Sequence, residues 1–101
     1  MISDINDLFE IWNLEDGAII LEPQEDFNKG IIGVSEDKCH IIYSYQKLTE
    51  SLAESYKNYE KDENKTIEDY IDEASEWIDY NTIRSISYFD KEYAPIIIYE
   101  V

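Results

Sequence analysis

The chain has 101 residues, 44% of them apolar and 14% aromatic, which is enough for one domain over 1–101 with one core. Its 24 acidic residues against 8 basic ones leave a net charge of −16, so direct binding to nucleic-acid phosphates or anionic membranes works against Coulomb repulsion, and a macromolecular partner is expected to be basic. The lone Cys39 and lone His40 exclude an internal disulfide and a zinc cluster, and no apolar run approaches the roughly 20 residues that cross a bilayer; with an acidic rather than basic start, the chain reads as cytoplasmic.

Ile5, Leu8, Phe9 and Trp12 fall at i, i+3, i+4 and i+7 behind Ser3 as a cap, which predicts a short first helix with Trp12 in the core. Asn13 to Gly17 carries chain-reversing residues, and Ala18 to Glu22 reads as a strand stopped by Pro23. Gly30 to Ser35 and Cys39 to Tyr45 read as an antiparallel pair joined by the polar Glu36-Asp37-Lys38. Ser44 can cap a helix from about Tyr45 to Tyr59, and Glu60 to Lys65 should be an exposed connection.

A second amphipathic helix is predicted from Ile67 to Tyr80, opened by Thr66 and Asp69 as a capping box and ended by Asn81. Its apolar stripe is Ile67, Tyr70, Ile71, Ala74, Trp77 and Ile78, with Trp77 central. Period-two alternation suggests a further strand over Ile83 to Tyr88, and Pro95 leads into Ile96-Ile97-Ile98-Tyr99, read as a central strand. The expected class is α+β: a mostly antiparallel sheet of three to five strands with about three helices packed on it.

The candidate binding surface is acidic. Glu60, Asp62, Glu63, Glu68, Asp69, Asp72, Glu73, Glu76 and Asp79 crowd one stretch that holds only Lys61 and Lys65 as cations, and the last six share the polar face of the predicted helix. Glu68 and Asp69 suit the positive end of a helix, whereas Glu76 and Asp79 would face its negative end, so local stability does not account for all of them. Glu68, Asp72 and Glu76 recur every about 6 Å along the axis, comparable in scale to successive phosphates on a nucleic-acid strand. Such a row can occupy a Lys/Arg-lined channel. The competing reading is a solvated outer face that only keeps the protein soluble.

Other chemistries find less support. Asp62 to Glu68 has acids near the start of a calcium-type loop, but it lacks the glycine of the sharp turn and carries Lys65, so no metal or cofactor is expected. Cys39 and His40 are neighbours in a predicted strand and point to opposite faces, which argues against a Cys-His catalytic pair; Cys39 reads as a small core residue and His40 as an exposed one. No phosphate loop or nucleophile elbow is present, and no enzyme activity is expected. Tyr56, Tyr59, Tyr88, Phe89 and Tyr93 flank polar connections and are candidate interface anchors.

Four segments, Gly30-Ile31-Ile32-Gly33-Val34, Ile42-Tyr43-Ser44-Tyr45-Gln46-Lys47-Leu48, Glu73-Ala74-Ser75-Glu76-Trp77-Ile78-Asp79-Tyr80-Asn81-Thr82-Ile83 and Pro95-Ile96-Ile97, resemble in order a family of small, mostly uncharacterised phage and prophage proteins. Ser44 stands where that family usually has Asp, and Tyr56 to Lys65 is longer than is typical. The resemblance implies a phage setting, where small acidic proteins often bind host proteins. The expected function is noncovalent inhibition of a host nucleic-acid-binding defence enzyme, of the restriction or CRISPR type, by nucleic-acid mimicry. The alternative is a phage accessory or structural protein working through an apolar homodimer or assembly interface.

Overall fold

The computed structural model describes residues 5–101, so the cap expected at Ser3 lies outside the described residues. Helix α1 (Asn6–Glu10) is shorter than its periodicity suggests. Asn13 takes a left-handed φ of 58°, and the Leu14 N–H returns to the Leu8 carbonyl at 2.9 Å. Trp12 therefore lies beyond the helix and is 52% exposed, which corrects its placement in the core; Leu8 and Leu14 are buried instead.

The strand expected at 18–22 is absent. The Ile19 N–H donates to the Tyr93 carbonyl and the Leu21 N–H to the Tyr43 hydroxyl, both at 3.1 Å, so single partners replace a ladder, and no strand among the described residues pairs with this segment. Helix α2 (Gln24–Phe27) and a 3₁₀ turn over Asn28–Gly30 follow. A Cβ added at Gly30 would stand 2.6 Å from Leu48 Cδ2, and Leu48 is completely buried, so glycine is what lets this turn close onto the next helix. Gly30→Ala is expected to destabilise by roughly 1–3 kcal/mol through overpacking, read from the denaturant midpoint.

Strands β1 (Ile31–Val34) and β2 (Ile41–Ser44) form the expected antiparallel pair, with a bulge between Ile31 and Gly33. Helix α3 (Tyr45–Glu60) begins where its cap predicts, with Ser44 Oγ accepting from the Lys47 N–H at 3.3 Å. Helix α4 (Ile67–Trp77) opens with the expected box: the Asp69 N–H donates to Thr66 Oγ1, and Asp69 Oδ2 accepts from the Thr66 N–H.

Past Trp77 the chain departs from expectation. A π-helical turn (Ile78–Ile83) runs into helix α5 (Arg84–Ile86), so Asn81 does not terminate the helix and Ile83 to Tyr88 is not a strand. In a π turn the backbone bonds shift to i+5. Side chains donate to carbonyls there: Asn81 Nδ2 to Trp77 O at 2.9 Å, and Ser85 Oγ to Asn81 O and Thr82 O at 2.7 and 2.9 Å. The buried stripe is Tyr70, Ala74, Ile78 and Thr82, in steps of four, while Ile83, Ile86 and Phe89 recur every third residue and are half-buried.

The last strand, β3 (Ile96–Ile98), pairs with β2 in parallel, giving the order β1-β2-β3. The sheet is thus mixed rather than mostly antiparallel, and β3 is an edge strand rather than a central one. A parallel return needs a long crossover, which α3 to α5 supply. Gln46 fixes the strand's exit by accepting from the Glu100 N–H at 2.9 Å and donating to its carbonyl at 2.7 Å. The class is α+β, with the core between the sheet and α3 and α4: Phe27, Ile41, Tyr43, Leu48, Tyr70 and Ile78 are buried there. Among the described residues no helix is long and apolar enough to cross a membrane.

Candidate functional site

The acidic stretch starts at the end of α3, where Lys61 takes a left-handed φ of 52° and its N–H caps the helix on Lys57 O at 3.0 Å. Asp62 Oδ1 then accepts from the Asn64 N–H at 2.9 Å, which tightens the loop toward Thr66. Lys65 reaches both sides of this corner, donating to Glu60 at 2.9 Å and Glu73 at 2.7 Å with its ammonium 5.3 Å from the Tyr70 ring centroid. The two carboxylates raise the Lys65 ammonium above its ordinary pKa, Glu73 contributing most.

Five of the nine candidate acids therefore have partners within the chain: Glu60 and Glu73 on Lys65, Asp69 in the helix cap, Asp62 in the loop, and Asp79 accepting from the Tyr45 hydroxyl at 2.8 Å. Burial, and then this bond to Asp79, push the Tyr45 phenol upward. Glu63, Glu68, Asp72 and Glu76 are exposed, with no hydrogen bond or ion pair among the described residues. The last three form the row expected along α4. Because helical structure runs on through Ile86, Glu76 and Asp79 lie well before its end and escape most of the unfavourable dipole expected for them.

The aromatic residues are arranged differently from their periodicity. Tyr70 is buried as expected, but Trp77 is 36% exposed and packs edge-on against Phe27, at a centroid distance of 6.2 Å. Trp77 lies with Tyr56 and Tyr80 around an open cleft of about 490 Å³ whose other walls are Glu60, Glu73 and Glu76. Sequence reasoning missed this convergence. Its signal was present as three i, i+4 pairs, Tyr56 with Glu60, Glu73 with Trp77 and Glu76 with Tyr80, but which helix faces meet is not written locally. Carboxylates beside ring faces suit a cationic side chain, and Tyr80 already carries the Arg84 guanidinium 5.0 Å from its centroid. Tyr59 and Tyr88 project into solvent, whereas Tyr56, Phe89 and Tyr93 are half-buried.

Cys39 and His40 precede β2 rather than lying in it, and both are half-buried, so neither the core position of Cys39 nor the exposed one of His40 holds. His40 Nδ1 donates to the Ala94 carbonyl at 2.6 Å, which ties the β1–β2 connection to the approach of β3. Asp37 accepts from the Ser35 hydroxyl at 2.6 Å and the Cys39 N–H at 3.1 Å, and these bonds hold its carboxyl below the usual range. Burial, followed by the Asp37 charge, pushes the Cys39 thiol up, the opposite of what nucleophile activation requires. Comparison with family models, curated proteins and solved structures finds no match for this chain.

Proposed function

We propose that this chain is a non-enzymatic, phage-type acidic binding protein of the host cytoplasm, which inhibits a host nucleic-acid-binding defence enzyme by occupying its basic surface. The observation that carries this reading is the row Glu68, Asp72 and Glu76, exposed along α4 and without any counter-charge among the described residues. Glu63 adds a further exposed carboxylate in the loop, and the cleft lined by Tyr56, Trp77 and Tyr80 beside the row, with Glu76 on its wall, suits an incoming Lys or Arg. The phage setting rests on the family resemblance of the strand, helix-start and helix-end segments. A net charge of −16 favours approach to a positive channel and keeps the protein itself off nucleic acid.

Replacing Glu68, Asp72 and Glu76 together with Lys is expected to leave the fold intact, because none of the three has a hydrogen bond or ion pair among the described residues, and to abolish capture of a basic host target. The wild-type complex should weaken steeply by ~0.3 M salt, where screening acts over roughly 6 Å or less. It should also compete with labelled DNA or RNA for the target. Pull-down from host lysate at two salt concentrations, followed by competition with wild type and variant, checks this. Equal binding by the variant, or no displacement of nucleic acid, removes the mimicry reading.

One observation favours the assembly reading as the alternative. Pairing of Ile42 with Ile96 and Ser44 with Ile98 sets Ile42, Ile96 and Ile98 on the sheet face opposite Ile41 and Tyr43, and Ile96 and Ile98 are 39% and 40% exposed. Self-association through that face would survive high salt.

A further inference from the structure

A groove larger than the acidic cleft follows β1 rather than α4, with a volume of about 790 Å³. All of β1 lines it on one side. On the other stand Lys47, Glu50, Ser51 and Glu54, the stripe that α3 turns toward the strand at helical spacing. Trp12, Lys29 and Lys38 line it as well.

Three features set this groove apart from the rest of the surface. Lys29, Lys38 and Lys47 are three of only 8 cations in the chain, and none of them has an ion pair among the described residues despite 24 available acids. With Glu50 and Glu54 as the acids lining it, the groove is locally positive, three against two, in a molecule of net charge −16. Trp12 and Ile32 are exposed beside these lysines, and aromatic side chains of this kind anchor protein interfaces. Finally, β1 is an edge strand, paired on one side only, and a Cβ added at Gly33 would meet nothing within 4 Å, so the backbone there is open to approach.

We propose that the β1–α3 groove binds an extended peptide segment of a partner protein that carries carboxylate side chains. The lysines receive the carboxylates, Trp12 and Ile32 receive the intervening apolar side chains, and the free edge of β1 offers main-chain donors and acceptors to an extended strand. A nucleic acid is the poorer occupant, since a long polyanion meets the whole acidic surface, whereas a short segment meets chiefly the local lysines. This surface is independent of the acidic row on α4 and takes partners of opposite charge.

The test uses the full chain, isotope-labelled for amide and indole NMR, titrated separately with ten-residue peptides of alternating Val-Glu, Val-Lys and Val-Ser. The Val-Glu peptide should move the Gly33 amide and Trp12 indole signals saturably and more tightly than the other two. The triple variant Lys29→Gln, Lys38→Asn, Lys47→Gln should bind it about tenfold more weakly, since each exposed pair contributes modestly. Asn is chosen at Lys38 because the backbone there has a φ of 65°, which Asn tolerates. Gly33→Val places its side chain in open space, so its melting temperature should be unchanged or raised while the peptide is excluded. The proposal is overturned if the Val-Glu peptide leaves both signals unmoved, if it binds the triple variant equally well, or if Val-Lys is preferred at these two signals. It is equally overturned if they move with protein concentration alone, which would make the groove an interface between copies, or if a single-stranded oligonucleotide binds there more tightly than the peptide.

Discussion

Phe27→Ala is expected to destabilise the protein by about 3–5 kcal/mol, the range for a large ring deleted from a closed site. Phe27 is completely buried at the end of α2, and its ring meets Trp77 in an edge-to-face contact. Removing it leaves a cavity that a closed core cannot fill without moving α2 or Trp77, a loss comparable to a sizeable part of an ordinary domain's 5–15 kcal/mol. Trp77→Ala should cost less, roughly 2 kcal/mol, because about a third of that residue already faces water and the gap it leaves opens to solvent. Denaturant titration of the two variants decides the order. A larger loss for Trp77 than for Phe27 would return the indole to the centre of the core, where periodicity alone puts it, and remove it from the cleft that faces a partner.

Tyr43→Phe should show itself most clearly in alkali. Tyr43 is fully buried in β2, and its hydroxyl accepts from the Leu21 N–H at 3.1 Å. Burial is the main cause of its phenol being pushed up to about 12, with nearby Glu22 adding to the shift and the Leu21 bond opposing it. An unfolded tyrosine ionises near 10, so the unfolded chain releases this proton first. The raised folded value therefore contributes stability that is fully present below about pH 10 and is lost as pH rises toward 12, roughly 3 kcal/mol in all. At neutral pH the Phe variant should be weaker by about 1–3 kcal/mol, because the buried Leu21 N–H loses its acceptor. Above pH 10 its stability should fall less steeply than wild type. Tyr45 and Tyr56 are also raised, chiefly by burial, and Tyr93 chiefly by the Glu92 charge, so a residual alkaline slope remains in both proteins. Parallel slopes for wild type and variant would show that Tyr43 ionises without unfolding the chain.

Local chemistry was legible in the residues because its causes lie within a few positions. Ser44 caps α3, and Thr66 and Asp69 box the start of α4, as their spacing requires. The β1–β2 pair follows from two β-branched runs and a short polar connection. The row Glu68, Asp72 and Glu76 follows from helical spacing, and its exposure follows from the apolar stripe on the other side of α4.

Pairing, burial and charge partners across long sequence separations were decided only by the tertiary structure. Ile96–Ile98 reads as a central strand from its apolar run, but α3 to α5 return the chain parallel to β2 at the sheet edge, where Gln46 binds Glu100. Ala18 to Glu22 has strand-forming residues but pairs with no strand among the described residues, and its Ile19 and Leu21 N–H groups go to the Tyr93 carbonyl and the Tyr43 hydroxyl. The run from Ile83 to Phe89 offers two periods at once, and packing selects the helical one through the π turn. Lys65 separates structural acids from free ones by binding Glu60 and Glu73, a division that composition cannot express because all nine carboxylates look alike along the chain. Capping and turns depend on neighbours within about four residues, whereas a strand's partner or a side chain's exposure depends on which distant surfaces pack against it.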